Sequence, residues 1–209
     1  MKLIMLGAPG AGKGTQAAKI CEKYNIPTIS TGAIIRNAIR NETEIGKQAK
    51  GLIDKGLLVP DEVVIEIIKE RLAESDCERG FILDGFPRTI AQAKALETMG
   101  ISIDKALSIE VPDSVILDRL GGRRECSECG ATYHVRYNPS KDGDKCDKCG
   151  GTLILRPDDC EETIMSRLKV YHETTEVVKQ FYEEKGKLIK IDGDRDVEEI
   201  TKDVLGSLN

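Results

Sequence analysis

The chain has 209 residues, 40% of them hydrophobic and 32% charged, a composition that fits one globular domain with a single sizeable core. Its 31 Lys and Arg stand against 36 Asp and Glu, and the resulting net charge of −5 argues against a protein that grips duplex nucleic acid through its field. No apolar run approaches the roughly 20 residues of a membrane span, and Met1–Leu6 breaks at Gly7, too early for a secretory leader. A cytoplasmic protein is therefore expected. In that compartment the seven cysteines would be free or metal-bound rather than bridged.

Short apolar runs alternate with amphipathic stretches, which predicts an α/β fold: a five-stranded parallel sheet flanked by helices. Strands are expected at Lys2–Leu6, Pro27–Ser30, Gly80–Asp84, Lys105–Val111 and Lys187–Ile191. Helical spacing predicts helices over Lys13–Tyr24, Asp61–Glu74, Thr89–Met99, Asp113–Leu120, Glu161–Lys185 and Asp196–Leu208. Two stretches read as insertions on this core. Residues 30–59 carry two short helical pieces, Gly32–Arg40 and Glu44–Lys55. Residues 122–159 are rich in Gly, Cys, Asp, Lys and Pro, and a long irregular segment inside a compact domain is usually functional. The core would then be 1–29, 60–121 and 160–209.

Gly7-Ala-Pro-Gly10-Ala11-Gly12-Lys13-Gly14-Thr15 follows the first strand and opens a helix, the setting that a phosphate-binding loop requires. Glycines let successive backbone N–H groups converge on phosphate oxygens, and the helix N-terminus adds its dipole. Lys13 is placed to reach the β- and γ-phosphates of a nucleoside triphosphate. Position 14 is glycine, so the hydroxyl suited to Mg²⁺ comes one residue late, at Thr15.

The third strand ends in Asp84-Gly85-Phe86-Pro87-Arg88. An acid at a strand end near the phosphate loop suits magnesium and its waters. Arg36, Arg88, Arg119, Arg123, Arg156 and Arg167 all sit at loops or element ends, and planar guanidinium groups match the charge spread over a transferring phosphoryl group.

Taken together, Gly7–Thr15, Ser30-Thr31-Gly32 with Arg36, Asp84–Arg88 with Gln92, Arg119–Arg124, Arg156-x-Asp158-Asp159 and Glu161-Glu162-Thr163 with Arg167 resemble the adenylate kinase family, in its long-lid type, over essentially the whole chain. The resemblance implies a P-loop nucleoside monophosphate kinase fold and the reaction Mg-ATP + AMP ⇌ 2 ADP. It also implies that residues 30–59 bind AMP and that 122–159 form a lid. Gly10, Ala11, Gly12, Lys13, Gly14 and Thr15 would hold ATP phosphates, with Arg119, Arg123, Thr132, Tyr133 and Arg195 also on the ATP side. Thr31, Arg36, Leu57, Leu58, Val59, Gly85, Phe86, Pro87, Arg88 and Gln92 would hold AMP. Lys13, Asp84, Arg88, Arg123, Arg156 and Arg167 would form the catalytic set, Arg156 and Arg167 serving AMP as well. The family usually has an acid after Ser-Thr-Gly, and this chain has Ala33. Another nucleoside monophosphate acceptor, or GTP as donor, is the nearest rival reading. The resemblance implies a monomer.

The second insertion contains Cys126-x-x-Cys129 and Cys146-x-x-Cys149, separated by sixteen residues, each pair followed by glycine. This spacing matches a closed four-thiolate structural zinc site, although iron or cobalt would also fit four sulfurs. Such a metal would brace a lid that has no hydrophobic core of its own. A zinc ribbon that binds nucleic acid is the rival here, but the six basic residues of 123–151 are nearly cancelled by five acids. Cys21, Cys77 and Cys160 are isolated and read as free thiols. His172 reads as a surface residue, and His134 as a lid residue without an assigned role.

Overall fold

The structure, a computed structural model, describes residues 1–208. In chain order, β1 (Lys2–Leu6) runs into α1 (Lys13–Tyr24), β2 (Thr28–Ser30) and the helix pair α2 (Thr31–Arg40) and α3 (Glu44–Ile53). Next come α4 (Asp61–Leu72), β3 (Phe81–Asp84), α5 (Ile90–Thr98), β4 (Lys105–Glu110) and α6 (Asp113–Gly121). Three short strands follow, β5 (Arg123–Cys126), β6 (Thr132–His134) and β7 (Leu153–Ile154). The chain ends with α7 (Glu161–Val170), α8 (Val177–Glu183), β8 (Leu188–Asp192) and α9 (Val197–Gly206).

The main sheet has the order β2-β3-β1-β4-β8 and is parallel throughout. Its central strands are covered on both faces, which is why β1 reads as an unbroken apolar run. Side chains alternate across the sheet. Ile4, Leu6, Ile29 and Leu83 therefore enter one buried cluster with α4, α5 and α8. Leu3, Met5, Ile82, Leu107 and Ile109 enter the opposite cluster with α1, α6, α7 and α9. Leu3, Ile4, Ile82 and Leu83 are fully buried, and each such side chain contributes about 1.5–3 kcal/mol relative to exposure.

The helix starts follow from short polar residues. Ser30 Oγ accepts the Ala33 N–H, Thr43 Oγ1 the Gly46 N–H and Thr89 Oγ1 the Gln92 N–H, each satisfying an otherwise orphan donor. The start of α2 is therefore capped from Ser30, with Ala33 in place of the usual acid. α2 and α3 cross tightly at Gly46, where a Cβ would come within 2.1 Å of the Ala38 carbonyl oxygen.

Two regions differ from the sequence reading. The helix expected over 161–185 is split by a wide π turn at Tyr171–Thr175. Thr174 Oγ1 bonds back to the Val170 carbonyl at 2.6 Å, and the Glu176 N–H reaches five residues back to Tyr171 O at 2.9 Å. A threonine that competes for the i−4 carbonyl explains the widened turn. The cysteine-rich insertion, expected to form a zinc-ribbon-like lid but with no strand located in it from the sequence, contains an antiparallel sheet of order β6-β5-β7. Among the described residues its buried apolar cluster is Cys126, Tyr133, Cys146 and Leu153, with Ala131 packed against it.

Candidate active site

The cleft lies beyond the carboxyl ends of β1 and β3, where an open α/β sheet places its ligands. The loop after β1 bends back through Gly7, Gly10 and Gly12, all at positive φ. A Cβ at Gly7 would meet the Ile109 carbonyl oxygen at 2.5 Å, and one at Gly10 the Leu120 side chain at 2.8 Å. No side chain caps the start of α1, so its first amides stay free to meet an anion. Gly14 and Thr15 are exposed to the cleft. Lys13 folds over its own loop, and its Nζ donates to Gly7 O at 2.8 Å and Ala8 O at 2.7 Å. Burial pulls its ammonium down to about 8 against the opposing attraction of Asp84. The Asp84 carboxylate lies 3.7 Å from where a Cβ on Gly14 would stand, so acid and phosphate loop face each other.

The turn after β3 is tied to the first insertion. Thr31 Oγ1 donates to Gly85 O at 2.8 Å, and Arg88 Nε donates to the same carbonyl at 2.9 Å. Gly85 has φ +80, and a Cβ there would stand 2.9 Å from Thr31 Oγ1. Phe86 is fully buried and anchors the turn, whose Phe86–Pro87 peptide is cis. Gln92 is also buried. It accepts the Arg88 N–H at 2.7 Å and donates to Asp61 Oδ1 at 2.7 Å, while Thr89 Oγ1 donates to the other oxygen of Asp61 at 2.8 Å. Among the described residues Arg88 has no carboxylate partner within 4 Å, which leaves its guanidinium for a phosphate. Val59 packs into the core, while Leu57 is exposed.

Opposite stand the arginines of the second insertion and α7. Arg123 pairs two-pronged with Asp159, at 2.7 and 2.5 Å, and Arg156 with Asp158, at 3.0 and 2.8 Å. Arg167 NH1 contacts both carboxylates, Asp159 at 2.8 Å and Asp158 at 3.1 Å. Burial would raise the Asp158 carboxyl, but Arg156 and Arg167 hold it well below the usual range. Glu125 sits between the two insertions, 3.5 Å from Arg36 and 3.6 Å from Arg156. Among the described residues Arg36 Nε is buried without a hydrogen-bond partner. Burial brings that guanidinium down to about 10, and Arg156 adds to the effect. An orphaned buried donor among cations is a seat for an anionic oxygen.

The remaining residues divide. Arg119 donates to Gly193 O at 2.8 Å and approaches Ala11 O at 3.4 Å, so it lines the phosphate-loop side. Arg195 bonds Asp203 at 2.6 Å on the surface. Thr132 is exposed, whereas the Tyr133 side chain turns into the interior of the second insertion with its hydroxyl 3.4 Å from Cys146 Sγ. His134, which carried no role in the sequence reading, packs its Nε2 against Gly122, buried and unpartnered. Asp61, Glu125 and the roles of Asp158 and Asp159 were also missed; the only hint was their placement beside arginines or at a helix start.

The four cysteines of the second insertion converge, with all sulfurs within 4.8 Å of one another. The Cys126–Cys149 and Cys129–Cys146 separations are 3.5 and 3.6 Å. These are too long for disulfides and close to the roughly 3.8 Å that a tetrahedral zinc with ~2.3 Å bonds imposes. The hydrogen bond from Tyr133 pulls the Cys146 thiol down to about 6. The Gly151 N–H favours a Cys149 thiolate, yet the Cys129 and Cys126 sulfurs push that thiol up to about 12. Four crowded sulfurs cannot all ionise without a cation among them, so the donor set fits a divalent metal.

A family model described as adenylate kinase matches residues 5–187. Curated relatives named adenylate kinase include those of Caldicellulosiruptor bescii, 55% identical over all of this chain and 99% of its own, and of Acetivibrio thermocellus, 53% identical over all of this chain and 98% of its own. The Bacillus cytotoxicus protein of the same name is 55% identical over 98% of this chain and 96% of its own.

Proposed function

The chain belongs to the adenylate kinase family and catalyses reversible phosphoryl transfer from ATP to AMP, and we propose that the residues gathered in the cleft perform it in the following way. The phosphate loop Gly10–Thr15 holds the ATP phosphates, with Arg119 beside it. Thr31, Arg36, Leu57–Val59, Gly85–Arg88 and Gln92 hold AMP. Arg88, Arg123, Arg156 and Arg167 close with Lys13 on the transferring group. Asp84 would hold the water shell of the magnesium that accompanies ATP as substrate and neutralises its terminal oxygens.

The observation that carries this reading is the convergence of six cations on one cleft: Lys13, Arg36, Arg88, Arg123, Arg156 and Arg167. They outnumber the acids Asp84, Glu125, Asp158 and Asp159. The AMP phosphate oxygen is the nucleophile and is already ionised, so no protein group need be covalently modified. Alignment and charge neutralisation in a site closed to water supply the acceleration. Closure also suppresses transfer to water. The carboxylates on Arg123, Arg156 and Arg167 keep the guanidinium groups parked and oriented until phosphate oxygens displace them.

Core residues 1–29, 60–121 and 160–209 carry an AMP-binding segment at 30–59 and a lid at 122–159. Zinc held by Cys126, Cys129, Cys146 and Cys149 would brace the lid, and iron or cobalt would serve the same geometry. In this reading the protein is a cytoplasmic monomer, as the family resemblance implies, acting on ATP, AMP and ADP without nucleic-acid or membrane partners; the net charge of −5 supports the exclusion of nucleic acid. Among the described residues no helix is long and apolar enough to cross a membrane. The test is turnover of purified protein across a panel of monophosphates and triphosphates, with metal analysis of the same sample. Fast conversion of ATP plus AMP to ADP is expected, and preference for another pair would overturn the adenine assignment.

A further inference from the structure

The lid core holds one polar group that packing alone does not require. Tyr133 is 8% exposed, and its ring fills the space between Ala131, Leu153 and the cysteines, which a phenylalanine would do equally well. Its hydroxyl, however, has two partners. It accepts the Asp147 N–H at 2.9 Å and lies 3.4 Å from Cys146 Sγ. Accepting that N–H leaves the hydroxyl's own proton available to the sulfur. A metal-bound sulfur is a thiolate and can only accept, which fixes the donor as tyrosine. The Lys148 N–H also reaches Cys146 Sγ at 3.4 Å, so this sulfur receives two hydrogen bonds.

We propose that Tyr133 is an outer-sphere ligand of the lid metal, its hydroxyl donating to the Cys146 thiolate and locking the second cysteine pair onto β6. The proposal rests on the reading of the four cysteines as a metal site. Hydrogen bonds to a ligating atom orient it and set its charge. Here the same hydroxyl joins the 146–149 turn to β6, and β6 pairs with β5, which begins at Arg123 and contains Glu125. Cys126 is itself the last residue of β5 and ties the first cysteine pair directly to the strands that carry cleft residues; the Tyr133 hydroxyl gives the second pair, 146–149, a tie of its own to β6. Tyr133 is thus a positioning residue, with its side chain committed to the metal and only its main chain left to meet nucleotide.

The experiment uses the full chain loaded with cobalt(II), as wild type, Tyr133→Phe and Leu153→Ala. Tyr133→Phe should lose metal affinity by about 10–100-fold in chelator competition. Its thiolate-to-cobalt charge-transfer band should move to longer wavelength, because the sulfur no longer shares charge with a donor. Leu153→Ala should loosen the lid without moving the band. Replacing tyrosine by 3-fluorotyrosine, a more acidic donor, should shift the band the opposite way, and it tests the same bond should the phenylalanine variant not fold. An unmoved band in Tyr133→Phe and in the fluorinated protein, even with weakened binding, would reduce Tyr133 to packing and overturn the proposal. Wild-type protein that binds no metal would overturn the metal reading and this inference with it.

Discussion

The parallel-sheet core and the lid reach order by opposite means. In the core, two apolar clusters sandwich a five-stranded sheet, and every central strand is buried on both faces. In the lid, the apolar cluster is four residues, two of them cysteines whose sulfurs belong to the candidate metal site. The core is held by area removed from water. The lid depends on a few short bonds around one point, because it is too small to bury a core. A segment organised in that way can move as a unit, as the proposed lid of a phosphoryl-transfer site would need to.

The largest expected effect falls in the cleft between the two. Arg88→Ala should lower kcat by about 10³-fold or more, since this guanidinium is free to neutralise the transferring group. Its melting temperature should stay near that of wild type. Near-normal steady-state turnover would remove Arg88 from the catalytic set.

Next in size is a cavity in the sheet. Leu83→Ala should cost about 3–5 kcal/mol in denaturant unfolding and should melt core and lid together, the lid having no independent frame. If the lid amides kept their exchange protection after the core had melted, the dependence drawn here would be reversed.

Metal removal should do the reverse and act locally. Chelation, or Cys129→Ser, should lower the melting temperature by about 5–10 °C. Amide exchange should rise across 123–154 while β1, β3 and β4 stay protected. Uniform loss of protection would show that the lid metal supports the whole fold.

The smallest effect is a pH dependence of the core surface. His172 Nδ1 lies 2.9 Å from Glu176 and Nε2 3.0 Å from Asp113, and these partners, hydrogen bonding to Glu176 foremost, raise its pKa. A raised folded value means the contribution is complete below about pH 6.5, the unfolded value, and is lost as pH rises through the folded value. Because the site is partly exposed, the gain is at most a few tenths of a kcal/mol. Melting curves of wild type and His172→Gln should differ slightly at pH 6 and converge in mildly alkaline buffer. A gap that widened with pH would refute the assignment.

Much of the architecture was legible in the residues because it rests on local chemistry. The phosphate loop is one contiguous turn whose glycines are demanded by backbone geometry, and the two cysteine pairs carry a spacing that matches a four-thiolate metal site. Apolar runs located the five parallel strands for the same reason, since burial on both faces leaves an unbroken pattern. The split of the last long helix was less visible, because Thr174 competes for a carbonyl only once the helix is already formed.

What the sequence by itself determined, then, is the fold class and the family, and it singled out the groups proposed to bind phosphate and metal. What only the tertiary structure decided is which of them are joined. Strand alternation says that Thr132 and Tyr133 point opposite ways but not which one faces the cysteines. Nothing local links Asp61 to Gln92, or Glu125 to both Arg36 and Arg156, because those partners lie 31, 89 and 31 residues apart and meet only when the sheet and its two insertions fold back over one cleft.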